Sequence, residues 1–196
     1  MKQSKNFLKT AAVLLLWVAI WQFAALIVSQ EFLIPTPLST LKALLRLTKT
    51  SEFYLSVLIS LLRIVAGFVL GVLAGVLGAV ISYRSKTFRA VFSPILKLIK
   101  AVPVASFIIL ALVWLKAASL PVFIAFLMVM PMIWSSVLSG LENIDGKYLE
   151  LARVYRLDGI KTFFNIKLPF ILPSFVSTAL TALGYAWKSG IAAEVI

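Results

Sequence analysis

Apolar residues in this chain run in blocks too long for one face of a soluble helix, and the charges fall mostly between the blocks. A membrane crossing takes about 20 mostly apolar residues. Five blocks reach that length: Phe7 to Ser29, Tyr54 to Tyr83, Ala90 to Leu115, Leu120 to Leu138 and Phe170 to Ala193. Each predicts a transmembrane helix. The first follows three lysines, as a signal peptide would, but its apolar run exceeds the 7–15 residues of a signal core and no small-residue cleavage site follows. It reads as an uncleaved span. The last block ends in "GIAAEVI" with no closing charges, and a further span is expected beyond it.

Between the first two blocks, "QEFLIPTPLSTLKALLRLTKT" alternates leucines with Lys42, Arg46 and Lys49, which predicts a short amphipathic helix at the membrane surface. Within the second block Gly67, Gly71 and Gly75 recur every fourth residue and share one helix face. Another helix can approach that face closely, either inside the bundle or across a dimer seam. Pro103 is expected to kink or break the third block, and Pro131 interrupts the fourth. The Pro169/Pro173 pair marks the start of the fifth.

Composition agrees with this pattern: 62% of the 196 residues are apolar and 13% are charged. A soluble domain is nearer half apolar and a quarter charged. The expected class is therefore an all-α polytopic transmembrane bundle, a single unit over residues 1–196. The chain has no cysteine and no histidine. Disulfides, thiolate metal sites and the usual general base are excluded, and the seven carboxylates include only one close pair, Glu142 and Asp145, read as a solvated loop edge. No catalytic, metal or cofactor site is expected. The net charge of +12 reads as cations flanking spans and facing anionic lipid rather than nucleic acid.

The cations also orient the chain. With the N-terminus inside, Lys2, Lys5, Lys9, Arg84, Lys86, Arg89, Lys147, Arg153, Arg156, Lys161 and Lys167 are cytoplasmic, against Lys42, Arg46, Lys49 and Lys116 outside. Eleven against four predicts a cytoplasmic N-terminus. Arg63, Lys97, Lys100 and Lys188 remain within spans. Intramembrane charges are expensive and mark function by default. These four are candidates to line a path for an anion; snorkelling to headgroups or pairing inside the bundle is the alternative.

A charged island, residues 139–169, separates the fourth and fifth blocks. In it Tyr148, Leu151, Ala152 and Tyr155 sit at i, i+3, i+4 and i+7, one apolar helix face. Glu150 and Arg153 are spaced to pair weakly. Asp158-Gly159 breaks this helix, and Asp158 is placed to cap a second one, which Leu168-Pro169 ends. An apolar stripe on a cytoplasmic loop wants a protein partner.

The island resembles the cytoplasmic loop of binding-protein-dependent ABC importer permeases, whose pattern is E-A-A, three residues, G, nine residues, I-x-L-P. Glu150, Ala152, Ile166, Leu168 and Pro169 fall on it at the right spacing. Leu151 stands at the first alanine and Arg156 at the glycine, with Gly159 three residues on as an alternative residue for the turn. The form "ELARVYRL…IKLP" is similar to the nitrate/sulfonate/taurine branch, as are "FLIPTPLSTLKAL", "SLLRIVAGFVLG", "SPILKLIKAVPVASFIILALVW" and "AWKSGIAAEVI". The resemblance implies a MetI-like permease fold, with about five spans here and a sixth in the complete protein, in a bacterial inner membrane. It implies that Glu150, Ala152, Arg153 and Tyr155 touch a pair of ATP-binding subunits, while Asp158 and Gly159 shape the turn. It also implies a second permease copy and an extracytoplasmic solute-binding protein that delivers a small anion. ATP and magnesium would be bound by the partner ATPase, since the chain has no phosphate-binding Gly-rich Lys-Ser/Thr loop. An ATP-independent transporter or channel is the rival reading, but no inverted repeat or intramembrane carboxylate relay is visible. A purely structural membrane protein is the other, and it has no need of this loop spacing.

Overall fold

The computed structural model describes residues 2–195, with side chains from Lys9 onward. Lys2 and Lys5 of the cytoplasmic set therefore lie outside the described side chains. The described residues are helical nearly throughout: α1 (Lys2–Val28), α2 (Pro37–Leu47), α3 (Ser51–Arg84), α4 (Lys86–Ala101), α5 (Val104–Leu112), α6 (Leu120–Glu142), α7 (Gly146–Val154), α8 (Gly159–Thr162), a π-helical turn (Phe163–Lys167) and α9 (Leu168–Val195). Four helical stretches are long and apolar enough to cross a membrane, or five if α4 and α5 together count as one.

Two compact units make up the chain, Met1–Val57 and Leu58–Ile196. In the first, α1 is followed by a loop that Trp21 ties back by donating from Nε1 to the Pro35 carbonyl at 3.0 Å. Thr36 then caps α2 by accepting from the Ser39 N–H at 3.2 Å, and Pro37 occupies the first turn, where its missing N–H costs nothing. No residue of α2 is buried, and Leu38, Leu41, Leu44, Leu45 and Leu47 all remain exposed, as a helix lying at a lipid surface requires.

In the second unit, α6 is the centre. Its Ile124, Ala125, Val129, Ile133, Val137 and Leu141 are buried. The glycine face of α3 lies against it. A Cβ on Gly71 would stand 2.8 Å from Val129 Cβ, and one on Gly75 2.8 Å from Ile133 Cβ; Gly67 abuts Val122 and Ala125. The glycines thus serve packing inside the bundle. Gly78 extends the row against the Trp134 ring, which donates to Ser82 Oγ at 3.1 Å. Association without a hydrophobic driving force depends on such close backbone approach. A second small-residue row lies on α9, where Ala182, Ala186 and Gly190 are buried, with Gly190 against Ile64 of α3. Polar contacts add to the α6–α9 seam: Thr178 donates to Ser136 Oγ at 2.9 Å, and Ser136 to the Ser174 carbonyl at 3.2 Å. Large apolar side chains such as Leu62, Leu70, Leu73 and Leu77 point outward, where a soluble protein would place charges.

The third block is not one straight span. Pro103 breaks it as expected, but α4 and α5 meet at 101°. Val102 is driven to an extended conformation (φ −83°, ψ 132°) because the residue before proline clashes in the α region. Glu142, exposed at the end of α6, pairs with Arg89 and so also ties α4 to α6. Asp145 caps α7, accepting from the Lys147 N–H at 3.0 Å. Pro131 and Pro173 lie inside continuous helices.

Leu168-Pro169 does not end a helix either. Residues Gly159–Val195 form one helical run of 37 residues, roughly 55 Å long at 1.5 Å per residue. The π turn explains this. The Leu168 N–H reaches back five residues to the Phe163 carbonyl, and the ladder is already re-registered where Pro169 has no N–H to give. Lys167 at this point sits 5.2 Å from the centre of the Tyr83 ring, near the end of α3. The cations around Arg84–Arg89 and those from Lys147 to Lys167 therefore share one end of this unit.

Candidate functional site

Two features of the second unit bear on function: a knob at its cationic end and a pair of clefts along α4, α6 and α9. The knob is anchored by Ile144, which is buried, and by the Tyr148 ring, 4.9 Å from that of Phe170. Within α7, Leu149 and Ala152 turn inward; Ala152 is only 3% exposed. The outer surface of the knob carries Glu150, Leu151, Arg153, Val154 (78% exposed) and Tyr155 (70%), joined from α8 onward by Ile160 (72%) and Phe164. The sequence pattern grouped Ala152 with this outer stripe and passed over Val154, Ile160 and Phe164. The small size of Ala152 is the signal it offered, since only a small side chain fits where α7 touches the bundle. Glu150 and Arg153 do not pair; among the described residues the ion pairs are Arg63–Glu194 and Arg89–Glu142.

The turn after α7 is built on Arg156. Its φ of 52° is left-handed, and no glycine has positive φ, so Gly159 does not take over the turn. Leu157 N–H donates to the Ala152 carbonyl at 2.9 Å and Arg156 N–H to the Arg153 carbonyl at 3.0 Å, a Schellman ending with arginine where glycine is usual. Gly159 instead opens α8, capped as expected by Asp158, which accepts from the Lys161 N–H at 2.7 Å. Holding a Cβ-bearing residue in this region costs about 1–2 kcal/mol. Arg156→Gly is expected to raise stability by about 1 kcal/mol, offset in part by the entropy of glycine in the unfolded chain; thermal unfolding in detergent checks it. Ile166 and Leu168 are half-buried at the root of α9, and Pro169 is exposed beside them.

The four intramembrane cations divide. Arg63 pairs with Glu194 at 3.5 Å, joining α3 to α9. The other three line clefts. A cavity of about 290 Å³ is bounded by Lys97, Lys100, the Arg89–Glu142 pair and four serines, Ser82, Ser93, Ser135 and Ser139. A second, of about 550 Å³, holds Lys100 with Lys188, Tyr185 and Ser189 against Met128 and Met132. Lys100 belongs to both, and its ammonium donates to Ser135 Oγ. Serine hydroxyls rotate to donate or accept, so the first cavity suits a hydrated anionic group, and the second combines positive charge with apolar walls.

Residues 67–196 match the family described as binding-protein-dependent transport system inner membrane component. Similar proteins include the putative aliphatic sulfonates transport permease protein SsuC of Escherichia coli (strain K12), 31% identical over 91% of this chain and 69% of that one. The nitrate import permease protein NrtB of Synechococcus elongatus is 27% identical over 98% and 72%. The taurine transport system permease protein TauC of Escherichia coli (strain K12) is 25% identical over 95% and 70%. With an all-helical bundle of apolar spans, a protruding charged loop and a family match over most of its length, this chain belongs to the inner-membrane components of binding-protein-dependent transport systems.

Proposed function

We propose that the chain is the permease subunit of an ATP-driven importer for a small anion of the sulfonate, taurine or nitrate class. A binding protein would deliver the anion from outside, and a pair of ATPase subunits would dock on the α7–α8 knob. The observation that carries this reading is the knob itself. Leu151, Val154, Tyr155 and Ile160 are exposed on the same knob as Glu150, which has no partner ion among the described residues. Such a surface is wasteful without a protein to cover it. Two permease copies would then rock between outward- and inward-open states as the ATPases close and part, each ligand favouring one state. The clefts sharing Lys100 would hold the anion on its way. The clustering of cations at the knob's end supports a cytoplasmic position for it, and the lysines ahead of the first span argue separately for a cytoplasmic N-terminus.

Because the chain has no cysteine, Lys161→Cys gives a single reactive thiol. In everted vesicles it is expected to label with a membrane-impermeant maleimide and to be shielded when the ATPase is bound. Labelling only from the extracytoplasmic side would overturn the assignment.

A further inference from the structure

We propose that the cationic end of the second unit binds an anionic phospholipid, with one acyl chain in the apolar cavity between α3, α6 and α9 and the phosphate on Lys167. The proposal goes beyond the importer reading and needs only a helical bundle in a membrane. The cavity measures about 250 Å³. Val76 and Val80 of α3, Leu141 of α6, and Ile171 and Phe175 of α9 wall it, and the exposed Phe163 lines it from the π turn. No polar residue is among the described residues lining it. Water finds no partners in such a space, and left empty it costs its walls their dispersion contacts.

Size and charge choose the occupant. From Val76 to Arg84, α3 advances about 12 Å. A helix packed along that length, 10–12 Å across, would fill roughly 1,000 Å³. The cavity is too small for it but takes a hydrocarbon chain. Val76, Val80 and Arg84 recur every fourth residue and share one face of α3, which leads from the cavity to the cations. Lys167, half-buried, holds its ammonium 5.2 Å from the centre of the Tyr83 ring. Phe163 and Leu168, at either end of the π turn that carries Lys167, both line the cavity. Neither Lys167 nor Arg84 has a carboxylate partner; the described ion pairs engage Arg63 and Arg89 instead. The ring covers one side of the ammonium and leaves N–H donors for a phosphate. Basic groups between helices at a membrane's edge suit an anionic headgroup, and a tyrosine at that level suits the interface.

The test uses the native complex, purified through a tag on this chain, stripped of loose lipid and mixed with phosphatidylglycerol carrying a diazirine in one acyl chain. Photolysis and peptide mass spectrometry then locate that chain. Cross-links are expected within residues 76–80 and 171–175. Unlabelled phosphatidylglycerol should compete at least about fivefold better than phosphatidylcholine with the same chains. Lys167→Gln should weaken binding about fivefold, and Lys167→Arg should retain it. Val80→Phe fills the cavity, leaves the cations and should remove the cross-links. Val69→Phe, exposed on the same helix outside the cavity, should not. Thermal unfolding of each preparation separates lost binding from lost fold, and should Val80→Phe unfold, the Lys167 pair decides. No cross-link at these residues, as when a second copy of the chain covers the cavity, overturns the proposal. So does displacement by inorganic phosphate at the same concentration, which would mean a site for the headgroup charge alone. Equal competition by the two lipids with unchanged binding in Lys167→Gln overturns it as well, the mark of an ordinary lipid contact. Uptake plays no part in these readouts, so either result leaves the importer reading where it stands.

Discussion

Glu150→Ala is expected to cut ATP-driven uptake about 10- to 100-fold while leaving the permease folded and inserted. The magnitude is that of one charge-assisted hydrogen bond lost across a protein interface, about 1.5–3 kcal/mol. The selectivity comes from what Glu150 does not do inside its own chain. It is exposed, makes no ion pair with Arg153 and is not a cap; Asp145 and Asp158 fill that role. Alanine also has the better helix propensity. Loss of uptake therefore reports the missing partner contact. The measurement is uptake into vesicles alongside thermal unfolding of the same preparation. Unchanged uptake at normal expression would remove Glu150 from the coupling surface.

Gly75→Leu is expected to have the largest effect on stability. A Cβ there would lie 2.8 Å from both Ile133 Cβ and the Met130 carbonyl oxygen, and a leucine adds three carbons beyond it. The substitution gains up to about 1 kcal/mol of helix propensity. Overpacking of a tight seam costs about 1–3 kcal/mol, and more where backbone blocks relief. Here the obstacle is α6 backbone, so the clash wins by about 2–3 kcal/mol, a fall in unfolding temperature on the order of 5–10 °C. Gly184→Leu is the matched control, because nothing stands within 4 Å of where its Cβ would be. It should unfold at or above the native temperature. Equal destabilisation of the two would mean that the α3 glycine row is not a packing seam.

Much of this architecture was legible in the residues, since apolar run length alone locates α1, α3, α6 and α9 to within a few positions. The glycine period announced a close helix contact, though not that its partner is α6, and Asp158 announced its own cap. Prolines were harder to read. Pro103 fixes where the chain bends but not by how much, which depends on what α4 and α5 find to pack against. Pro169 looked like a stop because the sequence does not show that a π turn can re-register the ladder ahead of it. Arg156 was unreadable for a similar reason: its left-handed φ is imposed by the Schellman bonds around it, and an arginine carries no local signal for that conformation. Among the cations, sequence placed Arg63 and Lys188 alike. Only the fold separates them, giving Arg63 a carboxylate across the bundle and bringing Lys188 to Lys100.

The Arg63–Glu194 pair has a mechanical side. Glu194 and Lys188 ride on the same unbroken stretch of α9, about 9 Å apart along its axis. No proline or bulge lies between them to absorb a twist. A rotation or shift of α9 as a whole that moved Lys188 would carry Glu194 with it and so change that carboxylate's reach to Arg63 on α3.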